Sequence, residues 1–203
     1  YYIDKTLPSG TFNPDSGGWT NSSITAEFNP SDEGGSGVLR WRYRTSSDNG
    51  ISWSTWSSYI LGDTNDTITM SSQGVWLIEA EVTDCAGNMN TIISGTYKID
   101  KTPPGGSFNP EGCIWVNSPR TTTFYPSDTG GSGVNKWRFR VSKDNGSTWQ
   151  DWSDYITGGT SLAINFPSAG IWLAQAEVID NAGNVNVVTS HTFEIDMAPP
   201  TGI

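Results

Sequence analysis

The hexapeptide DNGISW, Asp48 to Trp53, returns as DNGSTW, Asp144 to Trp149. The copies stand 96 residues apart (144 − 48), and the same offset carries residues 1–100 onto 97–196 without a gap. The chain is therefore one unit written twice, and a period of this length is that of a whole small domain. All ten tryptophans take part: Trp19 and Trp115, Trp41 and Trp137, Trp53 and Trp149, Trp56 and Trp152, Trp76 and Trp172. A residue used twice in the same way serves the unit's fold more readily than a single catalytic centre. The expected division is residues 1–99, residues 100–196, and a tail, 197–203, that begins a third copy.

The segments flanking the hexapeptide define the fold class. In LRWRYRTS, Leu39 to Ser46, apolar and basic residues alternate, so Trp41 and Tyr43 share one face of a strand and Arg40, Arg42 and Arg44 the other. The second copy keeps Trp137, Phe139 and Val141 against Lys136, Arg138 and Arg140. In VWLIEAEV, Val75 to Val82, residues Trp76, Ile78, Ala80 and Val82 point inward and leave Glu79 and Glu81 outside. If the two strands are neighbours, arginines and glutamates form a cross-strand charge ladder that selects the register. SITAEF, Ser23 to Phe28, reads as a further strand, and GTFNP as a first strand stopped by its proline. No segment holds a 3.6-residue apolar period, and turn clusters recur at short spacing. The fold class is all-β: two tandem antiparallel β-sandwiches of immunoglobulin or fibronectin type III character, each with about seven strands.

The hexapeptide itself is a turn. Ser46, Asp48, Gly50 and Trp53 spell S-x-D-x-G-x-x-W, as do Ser142, Asp144, Gly146 and Trp149. Asp caps loop amides, Asn-Gly supplies positive φ, and the tryptophan folds back over the hairpin. The pattern resembles the Asp-box of sialidases and other secreted β proteins. A sialidase would need many propeller blades and its own catalytic acids, so the motif speaks for a turn and not for a reaction.

Composition narrows the function. The formal charge of −10 opposes nucleic-acid binding, which needs clustered Lys and Arg. No apolar run approaches the roughly 18 residues of a membrane helix. The single histidine, His191, stands where the first copy has Gly95, and no G-x-S-x-G, P-loop or H-E-x-x-H motif occurs. No catalytic residue is assigned, and the chain is read as non-enzymatic.

A carboxylate cluster is the candidate for chemistry. TDCAGN, Thr83 to Asn88, recurs as IDNAGN, Ile179 to Asn184, in the turn between the last two strands. In a sandwich of this type that turn, the loop after the second strand and the entry of the chain meet at one end. Asp4, Asp32, Asp84 and Asn88 then converge in the first copy, and Asp100, Asp128, Asp180 and Asn184 in the second. Hard oxygen ligands from separate loops suit Ca2+. The competing reading is that each Asp or Asn only caps its own turn. Because Asp100 lies in the connector IDKTPP, a bound ion would stiffen the array.

A second candidate is an aromatic platform for carbohydrate, formed by Trp53, Trp56 and Tyr59 and by Trp149, Trp152 and Tyr155. Coplanar exposed rings would favour sugar binding, and rings packed on the arginine face would favour a purely structural role.

IDKTPP, DxGGSGV, the W-R-x-R strand, S-x-D-N-G-x-x-W and D-x-AGN together resemble the tandem immunoglobulin-like or fibronectin-like repeats of long extracellular bacterial and archaeal proteins, giant adhesins among them. The resemblance covers essentially the whole chain. It implies a spacer or stalk at the cell surface or in a secreted protein, with neighbouring repeats of the same chain as partners and a surface glycan or protein as a possible ligand. Some such adhesins bind calcium through junction aspartates, which by position carries over to Asp4, Asp84, Asp100 and Asp180. The two cysteines break the repeat: Cys85 stands for Asn181, and Cys113 for Gly17. With strands roughly 20 Å long and a Cα limit of about 7 Å for a disulfide, no Cys85–Cys113 bond is expected.

Overall fold

The structure, a computed structural model, describes residues 3–33, 35–112 and 114–201. The chain divides into two compact units, Tyr1–Lys101 and Thr102–Ile203. Among the described residues there is no helix. The first unit contains β1 (Ser9–Asn13), β2 (Trp19–Thr20), β3 (Ile24–Ser31), β4 (Val38–Ser46), β5 (Ile60–Leu61), β6 (Asp66–Met70), β7 (Gly74–Asp84), β8 (Met89–Ile93) and β9 (Tyr97–Ile99). The second repeats the plan with β10 (Gly105–Asn109), β11 (Arg120–Ser127), β12 (Val134–Ser142), β13 (Ile156–Thr157), β14 (Leu162–Phe166), β15 (Gly170–Asp180), β16 (Val185–Thr189) and β17 (Phe193–Ile195).

Each unit is a β-sandwich. In the first, β1-β3-β6 form one antiparallel sheet, and the other runs β2-β9-β7-β4-β5 with β8 also on β7. The long strand β7 thus pairs with β8 along Glu79–Thr83 and with β9 along Gly74–Trp76. In the second unit β10-β11-β14 face β13-β12-β15-β16, with β17 on β15. The expected first, second and third strands are all present, and the expected seven grow by short edge pieces such as β2 and β5.

Alternation decides which side chains enter the core. Along β7 the even-numbered Ile78, Ala80 and Val82 are buried, and along β4 Trp41 is fully enclosed. Phe12, Phe28 and Trp41 stack in series, with ring centroids 4.7 and 4.8 Å apart, and Phe108, Phe124 and Trp137 repeat the series at 4.7 and 4.9 Å. Full burial of side chains this large contributes about 1.5–3 kcal/mol each. Each unit has its own core cluster, and the two share no residue. Gly10 is required by this packing, because a Cβ there would lie 2.3 Å from the Phe28 ring.

The outer face of the larger sheet carries the charge ladder. Arg42 pairs with Glu81 and Arg44 with Glu79 in the β4–β7 register. Arg42 Nε donates to Glu81 at 2.8 Å, and Arg44 Nε donates to Glu79. In the second unit Arg138 meets Glu177 at 2.8 Å, while Arg140 donates to the neutral Gln175. Not every tryptophan serves the core: Trp41 and Trp137 are fully buried, whereas Trp115 is 59% exposed.

Candidate metal centres and the aromatic rows

The end of β7 places Asp84 against two loops. A β-bulge in β4 sets Val38 opposite Asp84 and Arg40 opposite Thr83, so Leu39 is extra. Bulges of this kind re-aim a strand end next to a site. The second unit has the same irregularity between Val134 and Lys136 opposite Asp180 and Ile179. Asp84 is fully buried, and its carboxylate accepts the Asn88 backbone N–H at 2.8 Å and the Asn88 side-chain amide at 2.7 Å. Burial pushes the Asp84 carboxyl up, but donors from Asn88, Gly87 and Ala86 outweigh it and hold it below the usual carboxylate value.

Asp32 follows β3 and accepts the Ser36 hydroxyl at 3.2 Å and the Gly37 N–H at 2.8 Å. Asp4, in the entering segment, accepts the Thr6 N–H at 2.9 Å and the Ser36 N–H at 3.1 Å. The Ser36 and Thr6 donors hold the Asp4 carboxyl below its usual value. Three loops therefore deliver one carboxylate each, and oxygens of Asp4, Asp32 and Asp84 lie within 4.8 Å of one another.

Asp128 and Asp180, the latter buried, stand at the equivalent positions of the second unit. The repeat register assigns Asp100, the counterpart of Asp4, to this second set. Asp180 accepts Ala182 N–H at 2.9 Å and Asn184 N–H at 2.8 Å, and Asp128 accepts Gly130 N–H at 3.0 Å and Gly133 N–H at 2.6 Å. Oxygens arranged around a cation at about 2.3–2.6 Å are separated by up to roughly 5 Å, so the Asp4, Asp32 and Asp84 trio matches the reach of a calcium-sized ion. Asn88 and Asn184 stand beside them but turn their amide nitrogens onto Asp84 and Asp180, each at 2.7 Å. They brace the acids. The expected capping by the same residues is equally visible, since every hydrogen bond above closes a local turn or ties two loops.

Sequence reasoning named the acids but not the donors that position them: Thr6, Ser36 and Gly37 in the first unit. The run GGSG was the only hint. Cys85, at the Asn181 position, is exposed and free. Asn181 donates to Ser132 O and Gly133 O at 2.8 and 3.0 Å, bracing the Asp128 loop. The expectation of no Cys85–Cys113 bond involves Cys113, which lies outside the described residues.

The aromatic candidates form a row of a different kind. Ser54 N–H donates to Thr45 O at 2.8 Å, Ser57 N–H to Tyr43 O at 2.7 Å, and Ile60 pairs with Trp41. Every third residue of segment 54–60 thus docks on every second residue of β4. A three-residue period brings Trp53, Trp56 and Tyr59 onto one side, over the arginines. The Arg44 guanidinium lies 5.1 Å from the Trp53 centroid and 4.6 Å from Trp56. Arg42 lies 4.7 Å from Trp56 and 4.9 Å from Tyr59, and Arg40 4.0 Å from Tyr59. Trp149, Trp152 and Tyr155 repeat the stack with Arg140, Arg138 and Lys136 at 4.3–4.9 Å. The tryptophans are half-buried, and cations occupy ring faces that a sugar would use.

Residues 127–197 match the family model described as the bacterial Ig-like domain. No curated protein matches the chain. Among solved structures, the fibronectin(III)-like modules of Clostridium thermocellum CbhA align over 97% of this chain and 99% of theirs, at 10% identity and a TM-score of 0.37. A marsupial T cell receptor aligns over 99% of this chain and 76% of its own, at 8% identity and a TM-score of 0.51, a likeness of fold alone. The family match lies in the second repeat, and the sandwich architecture gives both units an immunoglobulin-like fold.

Proposed function

We propose that the chain is a non-catalytic spacer segment of a longer extracellular or cell-surface protein of adhesin type, whose repeats are stiffened by calcium at the two carboxylate trios. Immunoglobulin-like modules of this kind are structural or adhesive and generally non-catalytic, and the bacterial Ig-like domain is common in extracellular and surface proteins. The observation that carries the calcium reading is that Asp4, Asp32 and Asp84 come from three separate chain segments with oxygens within 4.8 Å, and that the repeat puts Asp100, Asp128 and Asp180 at the equivalent sequence positions. Gathered so closely, such acids repel one another unless a cation or a proton relieves them. The ion would tie the entering segment to the loops that follow β3 and β7, or β11 and β15, and so restrict the connector next to each repeat. Neighbouring repeats of the same chain are the partners this role requires.

Thermal unfolding with calcium and then with excess chelator tests the reading. At one hundred times Kd, binding to the folded state adds about 2.7 kcal/mol, which raises the Tm of a domain of this size by roughly 10–20 °C. Asp84→Ala with Asp180→Ala should abolish the rise. A Tm that is the same in calcium and chelator removes the ion from the proposal and leaves the acids as turn caps.

Carbohydrate binding at the aromatic rows is the weaker reading, because guanidinium groups already cover those rings. Glycan-array binding that is lost in Trp56→Ala and Trp152→Ala would reinstate it and displace the spacer.

A further inference from the structure

The strands β8 and β16 end their sheets, and an exposed sheet edge is a template for pairing with another chain. The pairing scheme tells which amides face outward. Asp84 N–H donates to Asn88 O and Ser94 N–H donates to Ile78 O, so Asn90 and Ile92 exchange bonds with β7 while Met89, Thr91 and Ile93 present their backbone groups to the open side. Side chains on that stretch are apolar and accessible: Met89 is 58% and Ile93 56% exposed, as are Val185 at 51% and Val187 at 45% in β16. These strands carry the features of an aggregating edge.

One residue in each strand counters this. Asn90 Oδ1 accepts the N–H of Thr91 at 2.9 Å, the middle outward-facing amide, and Asn90 Nδ2 donates to Pro8 O at 2.9 Å. Asn186 does the same in the second unit, accepting Val187 N–H at 2.8 Å and donating to Pro104 O at 3.0 Å. A single carboxamide thereby occupies the donor that an incoming strand would need and fastens the edge to the segment entering the facing sheet. We propose that Asn90 and Asn186 are edge locks, which keep copies of this chain from joining β8 to β8 or β16 to β16.

The test is the double variant Asn90→Val with Asn186→Val in the full chain, followed by sedimentation velocity over a range of concentrations, with circular dichroism to verify the fold. The lock predicts at least a tenfold stronger self-association than in the unaltered chain. Adding Thr91→Pro and Val187→Pro should return sedimentation to that of the unaltered chain, because proline deletes the outward N–H without touching the internal ladder. A folded double variant that sediments like the unaltered chain overturns the proposal, and so does association that the prolines leave intact. If the valine variant does not fold, hydrogen exchange in the unaltered chain decides. Thr91 and Val187 amides should exchange at least tenfold slower than exposed-loop amides, and exchange as fast as in those loops overturns the lock.

Discussion

At the scale of single residues the hexapeptide turn shows how much four side chains can settle. The Ser46 hydroxyl donates to Asp48 Oδ1 at 2.7 Å and accepts the Gly50 N–H at 2.8 Å, and Asp48 Oδ1 accepts the Ser52 N–H at 2.8 Å. Asn49 and Gly50 take φ of 58° and 88°, which Asn tolerates and Gly adopts freely. Donors from Ser52 and then Ser46 hold the Asp48 carboxyl at about 2, and Thr148 and Ser142 do the same for Asp144. Because the folded value lies below the ordinary 3.8, the stabilisation is complete above about pH 4 and is lost as pH falls through about 2. Asp48→Asn with Asp144→Asn should therefore lower Tm at neutral pH and flatten its decline between pH 4 and 2, measured in chelator. A decline as steep as in the unaltered chain would deny these two acids that role. This turn was legible from its spacing alone, since the side-chain partners of Ser46 and Asp48 lie within a few residues. Asn90 was not, because its partner Pro8 is 82 residues away and only the folded sheets bring them together.

At the scale of elements, two periods meet on the outer face of the larger sheet. Strand β4 offers a cation at every second residue, and segment 53–59 offers a ring at every third. Alternation of apolar and basic residues made the arginine face and its glutamate partners readable in advance, as strict two-residue periodicity always does. The ring row was readable only as composition. Its direction depends on hydrogen bonds from Ser54 and Ser57 to β4, and neither serine announces a three-residue period by itself. Trp56 lies between two guanidinium groups, 4.7 and 4.6 Å away, and is the keystone of the row. Trp56→Ala should cost about 2 kcal/mol in urea unfolding of the first repeat, through lost cation–π contact and lost burial. Trp115→Ala, at a position 59% exposed, should stay within about 0.5 kcal/mol. Equal losses at both sites would show that the stack contributes no more than an exposed ring.

At the scale of the whole molecule, two core clusters that share no residue imply that each unit folds by itself. Fragments 1–101 and 102–203 should each give a cooperative melt, and a fragment that stays unfolded would place part of its core in the other half. The cut also separates the residues that the repeat register assigns to the second candidate metal centre. Fragment 1–101 retains Asp4, Asp32 and Asp84, whereas fragment 102–203 keeps Asp128 and Asp180 but lacks Asp100, the counterpart of Asp4. Removing one anionic ligand from a site with three weakens attraction for a divalent cation while the caps on Asp128 and Asp180 persist. Calcium should therefore raise the Tm of 1–101 fully and that of 102–203 much less. A fragment starting at residue 97, which restores Asp100, should recover the response, and Asp100→Asn in that longer fragment should remove it again. If 97–203 and 102–203 respond to calcium alike, Asp100 is not a ligand, and the connector is not where an ion would stiffen the array.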